Sequence, residues 1–203
     1  MSSEDQSKDQ SRDRSDEESA RWDIKYQQGL PSLTEPDPFF ISAYERFVTP
    51  SLAKPGAALD LAAGLGRHAL WLASKSWQVT VVELSDVAIG KLRQAALELD
   101  VNVDLFAGDV ARYKFEAAQF DLIVLFYHLD RSLFPRIVSA LKPGGLLISK
   151  MGLRWDSGEG LTTASTNPLD RNELPSLVPE LDVLHHEERP VRDRGVVEFV
   201  ARR

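Results

Sequence analysis

The residues best suited to chemistry sit in one loop, Asp60-Leu61-Ala62-Ala63-Gly64-Leu65-Gly66-Arg67-His68-Ala69, between an apolar run and a helical pattern. Glycines at that spacing let a backbone turn tightly and approach a ligand closely. Taken alone the loop is ambiguous, because Gly64-Leu-Gly66-Arg-His-Ala69 also satisfies the dinucleotide pattern G-x-G-x-x-G/A. A nucleoside-bearing cofactor of either kind needs an acid at the end of the next strand, since one carboxylate accepts from two ribose hydroxyls. Glu83 stands in that place, and Asp109 in Gly108-Asp109-Val110 is positioned to accept from an adenine amine.

A second set follows the apolar run Phe120–Phe126. Tyr127 and His128 are the candidates for orienting or deprotonating an acceptor, since an imidazole titrates near neutrality. His128 reads equally well as a hydrogen-bonded loop histidine. Asp130 reads better as a helix cap than as a base. Arg131 is placed to pair with an anionic substrate, although an arginine in a helix's first turn needs no function. His185 and His186 are adjacent in a strand pattern and must face opposite ways, so they make no metal pair. No metal site is expected.

These residues need a scaffold of alternating strands and helices. Strand-like runs are Ala57–Ala62, Gln78–Glu83, Asn102–Phe106, Phe120–Phe126, Leu146–Lys150, Leu181–His186 and Val196–Ala201, the last two as an antiparallel pair around a charged turn at 187–195. Helical patterns fall at Phe39–Val48, His68–Ser74, Asp86–Leu99 (capped by Ser85) and Ser132–Leu141, where Pro135 fits only in a first turn. The expected fold is α/β: a doubly wound, mostly parallel seven-stranded sheet with an antiparallel C-terminal pair. Ligand then binds at the carboxyl ends of the strands.

Composition narrows the options. A chain of 203 residues, 43% apolar, suits one domain with a tail. The absence of cysteine excludes disulfides and thiolate chemistry. Net charge is −7; residues 1–19 contribute −4, from seven acids and three bases, leaving −3 for the rest. No basic stripe exists to track a phosphate backbone, so nucleic acid is disfavoured as a partner. Residues 1–19 read as a disordered acidic tail and 20–203 as the functional domain. With no apolar leader or spanning segment, the expectation is a cytoplasmic protein off the membrane, monomeric or homodimeric.

Ala58–Leu72, Val82–Ser85, Ala107–Val110 and Phe120–Leu147 together resemble the class I S-adenosylmethionine-dependent methyltransferases. Within them, Trp22-Asp-Ile-Lys-Tyr26-Gln-Gln-Gly29 is similar to the W-D-x-(R/K)-Y-x-x-G element of small tellurite-resistance and thiopurine methyltransferase-like proteins, which usually lies over the cofactor. The resemblance implies S-adenosylmethionine as cofactor. Asp60, Ala62, Gly64, Gly66 and Arg67 then lie around its methionine part, and Glu83, Leu84 and Ser85 at the ribose. Asp109 and Val110 frame the adenine, Phe126 and Tyr127 line the site, and Trp22 and Tyr26 form an aromatic lid. Ala62 departs from the pattern, where the family usually has glycine.

The implied reaction is methyl transfer to a small-molecule acceptor at oxygen, sulfur, nitrogen or a metalloid. With no cysteine, carbon-5 methylation of pyrimidines is excluded, and Phe126-Tyr-His-Leu-Asp130 lacks the (N/D)-P-P-(Y/F) signature of amino methylation of bases. Gly152–Pro168, with Met151 and Trp155, is expected to wall the acceptor pocket. Two alternatives stand beside this reading: a nicotinamide-dependent oxidoreductase, which lacks a Tyr-x-x-x-Lys pair, and a non-catalytic S-adenosylmethionine-binding protein.

Overall fold

A computed structural model describes residues 3–29, 35–156, 161–162, 168–191 and 194–203. Its centre is a seven-stranded sheet. In chain order the strands are β1 (Ala57–Leu61), β2 (Gln78–Glu83), β3 (Val103–Ala107), β4 (Phe120–Phe126), β5 (Leu141–Leu153), β8 (Asp182–Val191) and β9 (Arg194–Arg202). A separate two-residue ladder joins β6 (Trp155–Asp156) to β7 (Leu161–Thr162). Spatial order in the main sheet is β3-β2-β1-β4-β5-β9-β8. The first five strands are parallel, and β9 runs antiparallel to β5 and to β8.

β1 and β4 are apolar at successive positions because both their faces are covered. Leu59, Leu61, Ile123 and Leu125 enter one core layer with Phe134 and Ile137 of α5 (Phe134–Ala140). Ala58, Leu122 and Val124 enter the other with Leu72 of α3 (Arg67–Ser74), Leu92 of α4 (Asp86–Glu98) and Phe40 of α2 (Pro38–Ala43). Each such Leu, Ile or Phe contributes roughly 1.5–3 kcal/mol of burial. The chain runs outward from β1 to β2 and β3, then returns to β4. The loops leaving β1 and β4 therefore part company at this reversal, where open α/β sheets bind ligands.

Several boundaries differ from those read in the sequence. The single helix expected over 39–48 is α2, entered through the Asp37 cap, which continues as a π turn over Tyr44–Val48. β5 starts five residues early because Leu141 already pairs with Phe120 before the register shifts. The charged stretch expected as a turn is largely paired: Glu187 lies opposite Glu198 and Arg189 opposite Val196. Its charges are accommodated in ion pairs, such as Arg189 with Glu198 at 2.7 Å. Pro135 falls in the first turn of α5 as its missing N–H requires.

The largest difference is at the start of the chain. Where a disordered tail was expected through residue 19, the backbone forms α1 over Ser3–Gln27. No apolar stripe marks this helix, so periodicity gave no sign of it. Its C-terminal part docks on α4 through polar contacts described below. Among the described residues, no helix is long and apolar enough to cross a membrane.

Candidate functional site

The glycine loop leaves β1 through three residues in the left-handed region: Ala62 at φ 52°, Gly64 at 59° and Gly66 at 74°. At Gly64 a Cβ would lie 2.8 Å from the Tyr26 hydroxyl, and at Gly66 one would lie 2.3 Å from Leu92 Cδ1. Both positions therefore demand glycine, the first for α1 and the second for α4. Ala62 adopts the same conformation with a methyl group, at a cost of about 1–2 kcal/mol for an L residue.

Glu83 is the electrostatic anchor of the loop. Its Oε2 accepts from Gly64 N at 2.7 Å and its Oε1 from Ser85 N at 2.9 Å. The carboxylate is buried, yet each oxygen retains a second lone pair. Asp60, fully buried, accepts from Ala69 N at 3.1 Å. Burial pushes its carboxyl up to about 7, with Glu83 adding and the Ala69 amide and Arg67 opposing. At the end of β3, Asp109 Oδ1 accepts from Ala111 N at 2.8 Å, and Val110 is buried behind it.

α1 lies across this loop. Trp22 and Tyr26 stack with ring centroids 5.8 Å apart. Burial, with Glu83 adding, pushes the Tyr26 hydroxyl well above its ordinary value. Asp23 Oδ1 accepts from the Ser85 hydroxyl and from Val87 N at 3.2 Å. The Ser85 hydroxyl in turn caps α4 by accepting from Ala88 N. Ser19 donates to the Leu84 carbonyl, and Lys91 Nζ donates to the Tyr26 carbonyl. The structure thus gathers Trp22, Tyr26, Gly64, Glu83, Leu84 and Ser85 around one loop.

Beyond β4, Phe126 is buried against His68 and Phe39. Tyr127 is exposed, with φ 58°, and its N–H donates to the Lys150 carbonyl at 2.8 Å. A left-handed tyrosine is a strained residue, and strain of this kind clusters at ligand sites. Burial about the ring raises its hydroxyl pKa, Lys150 and Arg67 opposing and Asp37 and Glu198 adding. His128 is half-buried and makes no hydrogen bond among the described residues. Asp130 accepts from Ser132 N at 2.9 Å, as a cap does.

Two of the sequence expectations are corrected. Arg131 is not directed at substrate: it binds Glu173, with an NH2–Oε2 distance of 2.9 Å, and the Pro168 carbonyl. Met151 is buried in the core layer of α5 and lines no pocket wall, while Trp155 is half-buried with the Arg171 guanidinium over its ring. The rest of the expected acceptor loop, 157–160 and 163–167, lies outside the described residues. His68, next to Arg67, is packed inward: its Nε2 accepts from Asp37 N at 3.3 Å while Phe40 and Phe126 flank the ring. Burial, with Arg67 and Lys150 adding, pushes its imidazole down to about 3.

One network escaped the sequence reading. Lys150 Nζ lies 3.0 Å from Asp37 Oδ1 and 2.9 Å from Glu198 Oε1, all three side chains being buried. Arg67 approaches the same Asp37 at 3.6 Å. The available signal was a single charge inside each of two apolar runs, LLISKM and VVEFVA.

Residues 58–145 match the family model described as a methyltransferase domain. The matched segment is less than half of the chain. No curated protein sequence matches the chain. Solved structures share the fold. They include TehB from Haemophilus influenzae (16% identity, 90% of this chain and 67% of that one, TM-score 0.70). The [4+2]-cyclase SpnF is another (18%, 80% and 78%, 0.67). A third is Burkholderia thailandensis 1,6-didemethyltoxoflavin-N1-methyltransferase, bound to its substrate and S-adenosylhomocysteine (19%, 81% and 85%, 0.58). The match ends at Gly145, so α1, α2 and the β8–β9 pair lie outside the segment that the family model describes.

Proposed function

We propose that this protein transfers the methyl group of S-adenosylmethionine to a small-molecule acceptor at an oxygen, sulfur, nitrogen or metalloid centre. The observation that carries the reading is Glu83, a buried carboxylate locked by two backbone amides beside a loop where only glycine fits. Its remaining lone pairs suit the two ribose hydroxyls, and Asp109 Oδ2 suits the adenine amine. Gly64, Gly66 and Asp60 border the methionine part, with Arg67 nearby, while Trp22 and Tyr26 cover it from α1. When bound, the cofactor supplies an electrophilic methyl on a sulfonium.

The transfer is an in-line displacement in which cationic charge disperses, so alignment and exclusion of water contribute most. Tyr127 and His128, past the end of β4, orient the acceptor, and His128 takes its proton where one must leave. The Trp22–Gly29 element supports the tellurite-resistance and thiopurine methyltransferase-like subgroup. An acidic, cysteine-free chain suits work on a small molecule in the cytoplasm. A non-catalytic role is the second reading, favoured by the absence, among the described residues, of a linked acid–base pair at His128.

The test is thermal shift and calorimetry with S-adenosylhomocysteine, then turnover on an acceptor panel. Glu83→Gln is expected to weaken binding by tenfold or more, through charge-assisted bonds worth about 1.5–3 kcal/mol. Stabilisation by NADH instead would overturn the reading. Tight binding without turnover across the panel would favour the second one.

A further inference from the structure

Three donors meet on one face of the C-terminal strand pair. His185 and Glu187 are two apart on β8 and share a face, and Glu187 lies directly opposite Glu198 on β9. One ligand atom from each lies within 4.8 Å of the other two. The bonding in this cluster is uneven. Glu198 Oε1 takes both Lys150 Nζ at 2.9 Å and an Arg189 NH2 at 2.7 Å, while Oε2 has only a long contact to Arg189 Nε at 3.4 Å. Glu187 Oε1 lies 3.8 Å from Arg189 Nε.

His185 Nε2 is buried without a hydrogen-bond partner, its closest acid atom being Glu187 Oε2 at 3.9 Å. An orphaned buried nitrogen is costly, and carboxylates directly opposite across a strand pair repel. Packing alone does not account for keeping all three donors together. The Phe39 and Phe47 rings, with centroids 5.6 and 6.2 Å from that of His185, hold the imidazole in place. The group opens on a cleft of about 480 Å³ between α2 and the sheet.

We propose that His185, Glu187 and Glu198 form a binding site for a divalent first-row transition cation. One imidazole and two carboxylates suit manganese, iron, cobalt or zinc better than the all-oxygen preference of magnesium and calcium. Three protein ligands leave coordination positions open toward the cleft. Arg189 is the internal competitor. Its guanidinium occupies the space between the two glutamates, and its side chain, 41% exposed, swings to solvent when the cation arrives. The proposal does not depend on methyl transfer.

The experiment uses the full chain, free of tags and stripped with EDTA, titrated calorimetrically with zinc, cobalt and manganese chlorides. Cobalt absorption reports the ligand field. One cation per chain is expected. His185→Ala and Glu187→Gln should each weaken binding at least tenfold, whereas Arg189→Ala should bind as tightly as the parent or more so. Glu187 is on the surface, so its variant reports binding even if the His185 variant unfolds. No saturable binding up to millimolar cation, or affinity unchanged in Glu187→Gln, overturns the site.

Discussion

Ala62 shows most directly how a single residue can work against its fold. Its left-handed backbone is set by the loop, since Gly64 and Gly66, which follow it, are fixed by Tyr26 and Leu92. Ala62→Gly should raise stability by about 0.5–1 kcal/mol in urea denaturation, strain relief outweighing the added freedom of the unfolded chain. Two buried titratable groups nearby act in opposite senses. Asp60, pushed up to about 7, favours the folded state fully below its ordinary 3.8, and this is lost as pH rises through 7. His68, pushed down to about 3, favours it fully above 6.5, and this is lost as pH falls toward 3. The two slopes oppose each other between about pH 4 and 6.5. Urea midpoints across that range should rise with pH in Asp60→Asn and fall with pH in His68→Gln. Glu83 and the loop glycines were legible in the sequence because spacing along the chain defines them. Lys150, Asp37 and Glu198 were not, because only strand register and the fold of α2 bring them together.

Elements were read well where burial imposes a period. β1, β2 and β4 agree with their sequence patterns to within a residue, since a strand covered on both faces must be apolar throughout. α1 lacked any such mark. It is held by polar bonds to residues more than sixty positions away, so its sequence reads as solvent-exposed chain. Asp23 carries much of that docking, binding both the Ser85 hydroxyl and the first turn of α4. Asp23→Ala should cost about 1 kcal/mol, in the range of a lost cap. It should also speed tryptic cleavage at Arg21 and Lys25, which would be followed by mass spectrometry against the parent protein. Equal cleavage rates would show that Asp23 does not secure α1.

At the scale of the molecule, the sheet joins a half that carries the glycine loop, β1 to β4, to a charged half built on β5, β9 and β8. Lys150 stands at the seam, with a buried carboxylate on either side. Removing one partner from such a group leaves uncompensated charge, so Lys150→Met should destabilise the chain by about 3–5 kcal/mol. A fall in melting temperature with the fold retained at low temperature is the expected result. The seam also explains why the fold class was legible while the site was read only in part: alternation of strands defines the sheet, but not which charges it brings face to face. The Tyr26 hydroxyl resting over Gly64 has a kinetic corollary. Under the proposed function the cofactor enters beneath α1, and the observed association rate is then expected to level off at high cofactor concentration, measured by stopped flow. The plateau would report how fast the helix lifts, and Asp23→Ala would raise it.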